Sequence, residues 1–284
     1  MLALICGLGA ALVWAVHDLL VRRLAQTGAV LPMMVVVVVA GSVALVLPVL
    51  VWGGWGRMTA AAYGVSGLAG LAYVPGMLGL YVSFKLAPVR IVAPVVGAFP
   101  LMSLAIAAAQ GRAVAPLEWL AVAGILLGIA WVAMLGRDQE GAVPLRLGPA
   151  LGWAALGAVG FAATFGLGQE AARLGATLPT ILVARLVAAA VIIGLAVITR
   201  APLSQTRPAL PTLGLMGVLD ATALGLVQAA ATLPHPEYAA ITAALFGVLT
   251  ILLAWRVLGE RVQPLQWVGI AVVFGGIGVL AGLG

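Results

Sequence analysis

Apolar runs of about twenty residues, each closed by a short polar break, recur ten times along this chain of 284 residues. A helix needs ~20 apolar residues to cross a ~30 Å hydrocarbon core. The breaks fall at arginines, lysines, prolines and glycine-rich joints. They set spans at roughly 2–22, 30–52, 61–83, 88–109, 117–136, 148–170, 177–199, 211–231, 236–256 and 264–282. Strands of a membrane barrel would be shorter and would alternate polar with apolar. The pattern therefore predicts an all-α polytopic membrane protein with ten transmembrane helices. Its loops are short, the longest being the charged stretch Arg137 to Arg146, and none could hold a soluble domain. Whatever the chain does, it does in or across a membrane.

A short polar phrase is written twice. Gly111 to Trp119 reads GRAVAPLEW, and Leu258 to Trp267 reads LGERVQPLQW. At an offset of 148 the two share Gly, Val, Pro, Leu and Trp. A second echo joins Leu24–Pro32, LAQTGAVLP, to Ala171–Pro179, AARLGATLP, at an offset of 147. Each half then holds five spans, with residues 1–140 forming the first repeat and 141–284 the second. Five is odd, so the halves enter the membrane from opposite sides. Inverted repeats of this kind place a substrate site near the midplane, between the halves.

Composition agrees and narrows the partners. Only 8% of residues are charged and the mean hydropathy is +1.22, against about a quarter charged in soluble domains. The pI near 10.4 comes from basic residues standing singly or in pairs at helix ends, the pattern of topology signals. It is not a phosphate-tracking stripe, and no nucleic acid is expected. The single cysteine, Cys6, excludes an internal disulfide and a cysteine metal site. Met1 to Ala15 lacks the basic start of a signal peptide and has a counterpart in the second half, so it reads as the first span. Arg57, Arg112 and Arg173 fall on one side. Arg22, Arg23, Lys85, Arg90, Arg137, Arg146, Arg200, Arg207, Arg256 and Arg261 fall on the other. That bias puts both termini outside.

The order of spans, Leu258-Gly259-Glu260 closing the ninth and Pro264-Leu265-Gln266-Trp267 opening the tenth resemble the drug/metabolite transporter superfamily. More narrowly, they resemble its ten-helix EamA-type members, over essentially the whole chain. The resemblance implies a bacterial inner-membrane carrier of small metabolites, often exporting amino acids or related compounds. It also implies termini in the cytoplasm, against the charge bias. No cofactor and no metal are expected. The first half has Gly111-Arg112-Ala113 where Leu-Gly-Glu belongs, so Glu260 reads as structural, paired with Arg256 or Arg261. In the small multidrug-resistance relatives the first helix carries a proton-exchanging glutamate. Here Trp14 stands at that place, which argues against the same cation antiport.

Polar groups inside spans are costly and are default candidates for function. Asp220 in the eighth span and Arg185 in the seventh differ in depth by only ~5 Å at 1.5 Å per residue. They form either a buried structural pair or a contact for a zwitterionic substrate or coupling ion. Asp18 reads as a helix-end partner of Arg22, with His17 turned toward a cavity mouth. Tyr73, Met77, Tyr81 and Phe84 share a face of the third span, as core packing or as a ligand wall. Trp14 and Phe161 are repeat mates and the favoured midplane pair. Gln228 and Gln169 are weaker candidates, and His235 and Tyr238 begin the ninth span. Pro75, Pro94 and Pro100 interrupt spans three and four. A small-molecule carrier of amino acids, aromatic or hydrophobic ones included, fits these walls. A multidrug or nucleotide-sugar carrier is the alternative. A channel and an intramembrane protease built on Gly64-Val65-Ser66-Gly67 are the more distant readings.

Overall fold

The computed structural model describes residues 2–99, 115–136, 146–230, 233, 239 and 242–283, and all regular structure among them is helical. The helices are α1 (Leu2–Ala25), α2 (Val30–Trp52), α3 (Ala60–Leu86), α4 (Val89–Val96) and α5 (Pro116–Gly136). They continue with α6 (Leu147–Leu174), α7 (Thr177–Ile198), α8 (Leu210–Ala229), α9 (Phe246–Leu253) and α10 (Pro264–Leu283). Each falls on one expected span. Helices α1, α2, α3, α6, α7 and α8 are long and apolar enough to cross a membrane, while α5, α9 and α10 supply shorter apolar lengths. The rest of span four, with Pro100, and the start of span nine, with His235 and Tyr238, lie outside the described residues. Pro75 does not break α3, which runs unbroken past it.

Many large apolar side chains point outward, Leu47, Leu50, Val51 and Ile198 among the most exposed, and alanine is the commonest residue buried inside. Lipid cannot drive helices together by the hydrophobic effect, so close backbone approach through small residues does that work. Helices α3 and α6 run antiparallel and make the most extensive interface. A Cβ on Gly79 would stand 2.4 Å from the Gly157 nitrogen, and one on Gly160 would stand 2.4 Å from that of Gly76. Thr59 ties the same pair at its end, capping α3 through Ala62 and donating to the Leu174 carbonyl.

The packing repeats under the offset of 147. The α3–α6 pairing is matched by α8–α1, and α2–α8 by α7–α3. A Cβ on Gly217 in α8 would meet the Val37 carbonyl oxygen at 2.4 Å, and one on Gly70 in α3 would meet that of Ala184 at 2.2 Å. Both members of the second contact lie 147 positions from those of the first, so the two crossings are built alike.

The twice-written phrase is a helix start. Proline at the first position of α5 and α10 loses no hydrogen bond there. Three residues after the residue preceding each helix, Glu118 accepts from the Ala115 N–H at 2.6 Å, and Gln266 from the Gln263 N–H at 3.0 Å. This is the reaching-back half of a capping box. The Gln266 amide also donates to the Val132 carbonyl, and Trp131 to that of Leu265, joining α10 to α5.

Leu-Gly-Glu is a helix stop. Beyond α9 the chain takes one widened turn over Ala254–Leu258, and Gly259 ends it at φ 68°, a left-handed conformation natural to glycine. That turn sends Glu260 back across the bundle. It pairs with Arg22 of α1 at 2.9 Å, correcting the expected pairing with Arg256 or Arg261. Its second oxygen accepts from the Val89 N–H at 2.9 Å, where a carboxylate suits the start of α4. Arg22 also donates to the Phe84 carbonyl at the end of α3. One glutamate thus fastens α9 to the ends of α1, α3 and α4.

Candidate functional site

Seven of the nine residues singled out as substrate-binding candidates line one cavity: Trp14, His17, Tyr73, Met77, Tyr81, Phe161 and Asp220. Arg185 stands behind Asp220 rather than in the wall. Gln228 is buried elsewhere, against Gly168. The remaining walls are Asp18, Leu80, Val96, Phe99, Phe165 and Phe246.

The walls are mainly aromatic. Phe161 and Phe165 stack with centroids 6.0 Å apart and planes 12° from parallel. Trp14 leans on Phe165 at 5.4 Å and meets Phe246 edge-on at 6.0 Å. Phe99 meets Phe165 edge-on at 5.1 Å, and Tyr73 meets Phe161 at 6.2 Å. The free space at the centre is about 30 Å³, room for a water or two.

Asp220 organises one side. Its carboxylate accepts from Trp14 Nε1 at 3.3 Å, from the Tyr73 hydroxyl, and from Arg185 Nη1 at 2.7 Å. The arginine lies over the Tyr73 ring at 5.7 Å, and its own side chain is 1% exposed. It reaches this depth because Gly41 leaves room. A Cβ on Gly41 would stand 2.2 Å from Arg185 Nη2. The seventh and eighth spans are thus joined by a buried ion pair, one of the two arrangements their depths allowed.

Asp18 organises the other side. Its expected partner, Arg22, is engaged with Glu260, and Asp18 is 2% exposed beside His17. The His17 ring bonds Asp18 Oδ1 through Nδ1 at 3.0 Å and faces the Tyr81 hydroxyl through Nε2 at 3.4 Å. A tautomer with the proton on Nδ1 satisfies both contacts. Among the described residues, Asp18 Oδ2 has no hydrogen-bond partner.

The cavity also carries the offset of 147 on its walls. Tyr73 and Asp220, hydrogen-bonded to one another, are separated by that number, as are Trp14 and Phe161, Asp18 and Phe165, and Phe99 and Phe246. Phe99, Phe165 and Phe246 were not singled out from the sequence, and Asp18 was read there as a helix-end partner rather than a wall, yet that offset relates all four as it does Trp14 and Phe161. Ser66 of the protease-like phrase donates within its own helix, to the Ala62 carbonyl.

Comparison with known proteins follows this geometry. Residues 148–282 match the EamA-like transporter family. Among the solved structures that match is a crystal structure described only as that of a protein, with 20% identity and a TM-score of 0.66, the alignment covering 99% of both chains. At that identity the likeness concerns the fold alone. No curated protein matches.

Proposed function

We propose that this chain, whose residues 148–282 match the EamA-like transporter family, is an alternating-access carrier of amphipathic metabolites. Amino acids with aromatic or hydrophobic side chains are the favoured cargo, moved out of a bacterial cell across its inner membrane. The observation that carries the reading is the cavity whose facing walls are related by the offset of 147. A site on the dividing line of two inverted five-helix halves, 1–140 and 141–284, is where exchanging the halves' conformations would turn access from one side to the other. A cargo with several phosphates would call for convergent basic groups. Among the described walls there is no lysine or arginine.

Counterflow in proteoliposomes tests the proposal. Vesicles are loaded in turn with unlabelled amino acids, a cationic dye and a nucleotide sugar. Saturable exchange with an aromatic or hydrophobic amino acid is expected. Exchange only with the nucleotide sugar would overturn the cargo. Non-saturating flux without counterflow would overturn the carrier.

A further inference from the structure

We propose that Asp18 is the recognition group of the cavity and that it takes an ammonium group carried on an aromatic or apolar body. The assignment rests on the carrier reading for its biology, but its chemistry is read from the walls themselves.

The two carboxylates of the cavity are not equivalent. Asp220 is held by three donors, one of them the Arg185 guanidinium. It is spent on the framework. Asp18 receives a single hydrogen bond, from the His17 ring, and no lysine or arginine reaches it among the described residues. Its Oδ2 is buried in the cavity wall with no partner among the described residues. A buried carboxylate oxygen without a donor is costly, and the compensation it lacks is a cationic donor.

The cage around it suits the same guest. Trp14, Phe161, Phe165 and Phe246 present ring faces and edges about the cavity, and aromatic faces attract a cation within ~6 Å while accepting apolar mass. A bare metal ion fits poorly, since among the described residues no three metal-ligating side chains gather. A carboxylate on the guest finds no lysine or arginine on the described walls, and the His17 ring is already turned to Asp18 and Tyr81. The recognised part of an amino acid is therefore its ammonium and side chain. The corresponding amine, lacking the carboxylate, binds at least as well.

Three ligands of nearly one shape separate these terms: 2-phenylethylamine, phenylalanine and 3-phenylpropionate. Binding is measured by equilibrium dialysis on the detergent-solubilised full chain. The result is then independent of whether the protein turns over, and a failure of the carrier reading shows separately, in the counterflow experiment. The amine is expected to bind saturably, phenylalanine equally or more weakly, and the phenylpropionate not at all. Asp18→Asn, which keeps the shape and removes the charge, is expected to weaken the amine roughly tenfold or more, as for a lost charged hydrogen bond, with Asp18→Glu retaining part of the affinity. Phenylpropionate binding as tightly as the amine would overturn the assignment, as would no binding by any of the three. Amine binding unchanged in a folded Asp18→Asn would do the same. Should that variant fail to fold, the ligand series on the unaltered protein decides the matter.

Discussion

At the scale of single residues, the bundle depends on places where a methyl group has nowhere to go. Gly41 is one of them, since an added Cβ would press on Arg185 Nη2 at 2.2 Å and on the Gly217 carbonyl at 2.6 Å. Gly41→Ala is expected to destabilise by about 1–3 kcal/mol, the usual cost of overpacking. Gly152→Ala, with nothing within 4 Å of the new atom, should leave the melting temperature nearly unchanged. Thermal unfolding in detergent reads both. The Arg185–Asp220 pair makes a second prediction. Removing one partner strands a buried charge, at about 3–5 kcal/mol, so Arg185→Ala and Asp220→Ala should each be less stable than the double substitution. Additive losses would show that the two do not act as a pair. The sequence brought these two residues to similar depth, but it could not show Gly41 making the space. In a chain with 37 glycines, composition does not tell a clasp from a spacer.

At the scale of elements, the repeated polar phrases are punctuation. Pro-Leu-x-Trp opens a helix and caps it, while Leu-Gly-Glu closes one and turns the glutamate inward. Glu260→Ala should cost about 1–3 kcal/mol, since it removes charged hydrogen bonds to Arg22 and to the start of α4. A double-mutant cycle with Arg22→Ala should return a coupling of about 0.5–3 kcal/mol. A coupling near zero would mean that the ion pair holds nothing. The helix starts and stops were legible, because proline, glycine and charge act locally. The partner of Glu260 was not. Arg256 and Arg261 are near in sequence, but the left-handed turn at Gly259 aims the carboxylate across the bundle. Asp18 was misassigned for the same reason: i,i+4 spacing offered Arg22, which the fold had already committed to Glu260.

At the scale of the whole molecule, the ten-element plan was legible from hydrophobic periodicity alone, and the offset of 147 paired Trp14 with Phe161, which both line the cavity. Its application to Tyr73 and Asp220 was equally available, yet their chemical difference hid it. Where the halves would be equivalent, the mates are a phenol and a carboxylate, and they bond to one another. The likeness is therefore in geometry, while the chemistry is one-sided, with Asp18 facing Phe165. On the proposed reading, this asymmetry would set a polar group at one wall and an apolar body at the other. Trp14→Ala, which removes both a wall and a donor to Asp220, should raise the apparent KM for cargo by several-fold or more while leaving a folded bundle. Unchanged transport kinetics would make Trp14 a packing residue.

The most direct test of alternating access is whether the cavity can be reached from either face of the membrane, one face at a time. A single cysteine at the wall, Met77→Cys in a Cys6→Ser background, is exposed to a small membrane-impermeant thiol reagent in vesicles of each orientation. The account predicts labelling from both faces, with cargo present on one side altering the rate of labelling from the other. Labelling from one face only, whatever the cargo, would contradict it.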